Sequence, residues 1–114
     1  MEFIPKVKAQ RFENSSSCVV FEYGGDNDIS GAVAVINGRY PESGWGMNQH
    51  VKEMVYVIKG TGTLTAKEAT FALREGDMAL IDANEPYFFE GSELHIFMPT
   101  TPAWTPEQFI NLES

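Results

Sequence analysis

Few side chains in this 114-residue sequence are suited to metal binding or nucleophilic chemistry: two histidines, His50 and His95, and one cysteine, Cys18. Cys18 sits in the apolar run CVVF, where a buried, inert thiol is expected, and a lone cysteine permits no internal disulfide. His50, in MNQHVK, reads as a solvated loop histidine, and His95, in LHIFM, as a strand histidine satisfied by its neighbours. Either could move a proton only with a polar partner to orient it, and the sequence advertises none. Glu53 shares one strand face with Val55 and Val57. Such a carboxylate is either buried, and then needs a partner, or ends its strand in solvent beside Lys52. Tyr87, followed by Phe88 and Phe89, reads as a core aromatic with a satisfied hydroxyl or as a pocket phenol. Trp45 and Trp104 are candidates for a pocket mouth, although Trp104 within PAW also suits a packing anchor for the tail.

The elements that must position these groups are strands. Short stretches rich in Val, Ile, Phe, Tyr and Thr recur, each closed by Gly, Asn or Asp, as in an all-β sandwich or barrel. Eight strands are predicted, over residues 17–23, 29–36, 52–58, 61–66, 69–74, 77–81, 87–89 and 93–98, a number that suits a jelly roll. The tracts GGDND at 24–28 and GTG at 60–62 supply positive φ at little cost and so read as hairpin turns, while Pro86 fits a strand start. In 52–58 the face opposite Glu53, Val55 and Val57 carries Met54, Tyr56 and Ile58. Both faces need cover: the barrel interior on one side, a second sheet or a partner subunit on the other, so a homodimer is expected. Thr105-Pro106-Glu107-Gln108 reads as a capping box with Gln108 reaching back, which predicts a short C-terminal helix.

One domain, 1–114, accounts for the length. With 8 basic and 16 acidic residues the net charge is −8, which removes the electrostatic term that dominates nucleic-acid binding. The acidity is read as solubility in preference to steering of a cationic ligand. No apolar run approaches a membrane span and the opening MEFIPKVKAQRFE lacks the apolar core of a signal peptide, so a cytoplasmic protein is expected.

The block 46–91, GMNQHVKEMVYVIKGTGTLTAKEATFALREGDMALIDANEPYFFEG, resembles the two-motif core of the cupins over 46 of the 114 residues. Glu53 and Gly60 stand at the spacing of the first motif, and Gly76-Asp77 opens the second. The histidines of the motifs are missing. Depending on register, Gln49 and Met47, or Asn48 and Gly46, replace the first pair, and Tyr87 replaces the third. Asn84 replaces a turn glycine, a mild change because Asn tolerates the left-handed conformation. The segments RYPESGWGMNQHVKE and TPAWTPEQ are similar to those of small single-domain cupins with no assigned reaction, again with Asn48 at the head of the motif.

The resemblance implies a double-stranded β-helix, or jelly-roll, barrel with Glu53 and Tyr87 at its mouth. It implies a metal site reduced to one carboxylate, hence no metal and no cofactor, unless His50 swings in beside Glu53 and Tyr87 supplies a phenolate. Ligand-binding residues are then Asn48, His50, Glu53 and Tyr87, with no catalytic residue assigned. The resulting function is binding of a small polar molecule, a sugar or small carboxylic acid. The alternatives are a metal-independent sugar epimerase or isomerase using His and Tyr as acid and base, and a barrel filled by its own side chains, which eight Phe make feasible. Fold alone transfers no activity.

Overall fold

A computed structural model describes residues 1–113. Among them are nine strands: β1 (Gln10–Ser15), β2 (Cys18–Gly25), β3 (Ser30–Tyr40), β4 (Trp45–Asn48), β5 (Lys52–Ala66), β6 (Thr70–Leu73), β7 (Met78–Ile81), β8 (Tyr87–Thr101) and β9 (Phe109–Leu112). Every pairing is antiparallel. The long strand β8 is the spine, flanked by β3 from Ser30↔Thr100 to Tyr40↔Phe89 and by β5 from Lys52↔Thr101 to Ala66↔Tyr87. Beyond β3 lie β2 and β1, and β5 pairs β7 along its first half and β6 along its second. β4 joins β8 at Gly46↔Tyr87 and pairs β9 on its other edge. The result is a nearly all-β sheet curled on itself, with Ile36, Val55, Val57, Leu64, Leu94 and Ile96 inside.

Two predicted breaks are absent. Residues 52–58 and 61–66 form the single strand β5, and 87–89 and 93–98 form β8. GTG is a bulged stretch rather than a turn: the register shifts between Val57 and Lys59 and again between Lys59 and Thr61. Gly60 there has φ +87, and a Cβ on it would fall 1.8 Å from the Glu93 carbonyl oxygen. Glycine thus lets a continuous strand bend around the barrel where it was read as reversing the chain. GGDND does close a hairpin, between β2 and β3, with the Asp26 side chain accepting from the Asp28 and Ile29 amides. Asn84 is left-handed, φ 65, as its place in the motif suggested.

The expected C-terminal helix is not formed. A single 3-10 turn, Pro106–Gln108, leads straight into β9, and the Thr105 side chain caps nothing. Two physical reasons are visible: Phe109–Leu112 satisfy their backbone on β4, and the Gln108 side chain turns inward instead of back. β1, unforeseen, has a polar and exposed sequence, QRFENS, with no apolar alternation to reveal it. No helix among the described residues is long and apolar enough to cross a membrane.

Candidate functional site

Four segments converge at one end of the barrel. β4 ends on Asn48, the connection 49–51 carries His50, β5 opens with Lys52-Glu53, and the tail brings in Gln108. The Gln108 side-chain oxygen Oε1 accepts from the backbone amides of His50, 3.2 Å, and Val51, 3.3 Å. That fixes which way its amide points, and its Nε2 donates to Asn48 Oδ1 at 2.9 Å. Asn48 in turn must present its amino group to Glu53, and Nδ2 donates to Oε1 at 3.0 Å. All three side chains are buried. A run of oriented amides therefore starts at the backbone and ends on one carboxylate.

Glu53 is 5% exposed. Burial pushes its carboxyl up to about 7, with the Asn48 hydrogen bond working against the rise and the Glu22 charge adding to it. Tyr87, at the start of β8, packs edge-on against Phe89 with ring centres 5.6 Å apart. Burial, then the Glu53 charge, holds its hydroxyl well above the ordinary phenol range, so it keeps its proton and can donate. Tyr40 is pushed up to about 12 by burial and by Cys18, and the Cys18 thiol to about 12 by burial and by Glu53. Cys18 is thus the buried, inert thiol the sequence suggested.

These groups line a cavity of about 730 Å³ together with residues of β1, β2 and the tail. Its size falls within the roughly 300–1,000 Å³ of small-molecule sites, so the chain's own side chains do not fill the barrel. Phe12 and Trp104 stand in its wall.

Of the residues singled out in the sequence, Glu53 and Tyr87 line this cavity, and Asn48 stands behind Glu53 without lining it. His50 does not belong to the site: its side chain is exposed and only its backbone N–H takes part, on Gln108. His95 lies on β8 between the inward-facing Leu94 and Ile96, which turns its ring to the other face. No histidine–tyrosine pair is therefore assembled. Trp104 lines the cavity, whereas Trp45 packs on Phe88 at 5.1 Å with Lys67 over its ring. Sequence reading missed Glu22, Tyr40 and Gln108. A signal existed for Glu22, because alternation along β2 sets Cys18, Val20 and Glu22 on one face. None existed for Gln108, whose role depends on a contact 60 residues away.

A profile of the family described as Cupin domain matches residues 34–94, 61 of the 114 residues. Among solved structures, the chain is similar to a variant of the Streptomyces protein Pac13 with uridine, at 15% identity over 99% of this chain and 92% of that one, TM-score 0.86. Pac13 is described as a nucleoside dehydratase. The chain is also similar to KdgF from Halomonas sp., 9% identical over 89% and 94% of the two chains, TM-score 0.73. A third likeness is to an uncharacterized conserved protein of Klebsiella pneumoniae with a double-stranded β-helix domain, 14% identical over 100% and 99%, TM-score 0.74. At these identities the likeness is one of fold. No curated protein sequence matches.

Among the described residues no three His, Cys, Asp or Glu side chains cluster where they could hold an ion. At the family position stand one carboxylate, an amide committed to it and a phenol, with no imidazole among them. That donor set does not fit a transition metal. The alternative ligand pair, His50 with a Tyr87 phenolate, lacks its first member, since the His50 side chain is exposed.

Proposed function

The chain belongs to the cupin family, and we propose that it is a small-molecule-binding cupin whose ligand sits in the barrel against Glu53 and Tyr87. One observation carries this reading. A carboxyl group is kept buried at the wall of a 730 Å³ cavity, oriented by Asn48 and Gln108, with no basic side chain beside it. Burial of that kind works against stability and is typical of sites that bind or react. The ligand is a hydroxyl-bearing molecule such as a sugar or a nucleoside; the uridine bound by Pac13 supports the second. Binding proceeds without metal, in the cytoplasm, and the protein is a homodimer through the outer face of β5. Elemental analysis of the purified protein and its sedimentation are the tests of those two attributes.

Each hydrogen bond from Glu53 and Tyr87 contributes on the order of 1 kcal/mol net. The double variant Glu53→Gln/Tyr87→Phe should then bind about tenfold or more weakly in a thermal-shift screen of sugars, nucleosides and small carboxylates. A compound that stabilises both proteins equally would remove the site.

A second reading is an enzyme of proton transfer. Its acid–base pair is Glu53 and Tyr87 in place of the His and Tyr first considered. What favours it is a carboxyl group that titrates at about 7, where a general base works best, together with the dehydratase activity ascribed to Pac13.

A further inference from the structure

The charges around the cavity are all of one sign. Glu53 lies at its wall from β5, Glu22 from β2, and Asp26 from the turn after β2. None of the eight Lys and Arg side chains lines it, and neither does His50 or His95. The one basic neighbour of this segment, Lys52, points the other way and meets Asp82 at 3.8 Å in solvent. Among the described residues, the side-chain hydrogen bond to the Glu53 carboxylate is the one from Asn48 to Oε1. The aromatic rings of Phe12, Tyr40 and Trp104 also line the cavity.

An anionic ligand entering this cavity would lose its hydration, find no cation, and face carboxylates; like charges brought together out of water are a strong means of rejection. A cation meets the reverse. An ammonium group can donate a charge-assisted hydrogen bond to Glu53, and ring faces attract it as well. The net charge of −8 raises the local concentration of cations around the whole molecule.

We propose that the cavity selects an amine-bearing, cationic small molecule with an apolar or ring body, and rejects carboxylates and phosphates. The proposal rests on the reading of this cavity as a ligand site. It discards the small carboxylic acid expected from the family resemblance, and it gives the acidity a use beyond solubility. The amine seats its ammonium on Glu53, with Glu22 adding attraction from the facing strand, and its body lies against Phe12 and Trp104.

The test is a set of shape-matched probes that differ in charge: benzylamine, benzyl alcohol and benzoate; 6-amino-6-deoxyglucose, glucose and glucuronate; and 5′-amino-5′-deoxyuridine, uridine and uridine-5′-carboxylate. Binding to the full chain is followed at pH 7 and low salt by titration calorimetry, with amide shifts of β2 and β5 locating the site. Within any set that binds, the amine should bind about tenfold more tightly than the alcohol, and the alcohol about tenfold more tightly than the acid. Glu53→Gln should compress that ratio, and Glu22→Gln, at a half-buried position where folding is less at stake, should compress it in part. An acid bound as tightly as its amine overturns the charge selection while leaving the ligand site standing. No binding by any of the nine overturns both.

Discussion

Strand β5 presents the same alternation to two different surroundings. Inward it offers Glu53, Val55 and Val57, all buried; outward it offers Met54, Tyr56 and Ile58, all roughly two-fifths exposed. Outside, Met54 lies beside Leu80 of β7, and Tyr56 lies between Met78 of β7 and Phe97 of β8, so the patch is apolar but for the Tyr56 hydroxyl, which at two-fifths exposure can be met by water. Inside, a single polar group changes the terms. Glu53 must be answered by Asn48, Asn48 by Gln108, and Gln108 by two backbone amides. An apolar face asks only to be covered, whereas a buried polar group asks for specific atoms at specific distances.

The interior should therefore be far less tolerant than the exterior. Asn48→Ala removes the donor to Glu53 Oε1 and the acceptor of Gln108 Nε2 together, leaving two buried polar groups unpaired. The expected loss is about 4 kcal/mol, since each orphaned group costs roughly 1–3 kcal/mol and a charged one more. Urea unfolding measures it; a loss below about 1 kcal/mol would mean the amide run does not hold the carboxylate.

Titration sharpens the same contrast. Glu53 has an ordinary value of 4.5 in the unfolded chain and about 7 when folded. Between those values the folded protein holds a proton that the unfolded chain has released. Stability must then fall as pH rises from about 4.5 to 7, by at most about 3 kcal/mol from this group. Glu22, raised as well by burial, contributes a slope of the same sign. The difference between wild type and Glu53→Gln isolates Glu53: the variant should show the flatter stability profile over pH 5–8, and identical profiles would place the carboxyl in water.

On the outer face the sensitive property is association. Tyr56→Glu puts a charge at the centre of the patch, twice in every symmetric dimer, and should weaken dimerisation about hundredfold, roughly 2.7 kcal/mol. Folding of the single chain should change little. Sedimentation of the wild type as a monomer at micromolar concentration would break the contrast, because the patch would then remain uncovered.

The pattern of β5 was legible because period-two alternation is a local property: Glu53, Val55 and Val57 fall on one face whatever the rest of the chain does. The left-handed Asn84 was legible from the family resemblance, which sets it at the place of a turn glycine. What depended on distant neighbours was not. Gly60 could be seen to permit an unusual φ, yet whether that makes a turn or a bulge is decided by β8 running past both halves of β5. Thr105-Pro106-Glu107-Gln108 carries the residues of a helix cap, and the cap loses because Gln108 finds better partners in Asn48 and the amides of His50 and Val51. Glu22 was signalled by the alternation of β2, whereas Tyr40 lies past the predicted strand end at residue 36, where pairing with β8 extends β3.

His50 tests the boundary between the two surroundings and carries the smallest expected effect. As the histidine nearest Glu53 in sequence, it was the natural candidate for a proton carrier. The fold gives the position a role, but through the main chain: its N–H donates to the Gln108 side-chain oxygen Oε1 while the imidazole stays in solvent. Alanine keeps that N–H, so His50→Ala should alter stability by no more than about 0.5 kcal/mol, the usual range for exposed sites. It should also leave ligand affinity within about twofold, because Gln108, Asn48 and Glu53 keep their partners. A tenfold loss of affinity in this variant, with stability unchanged, would put the imidazole in the cavity and restore a histidine to the ligand site proposed around Glu53 and Tyr87.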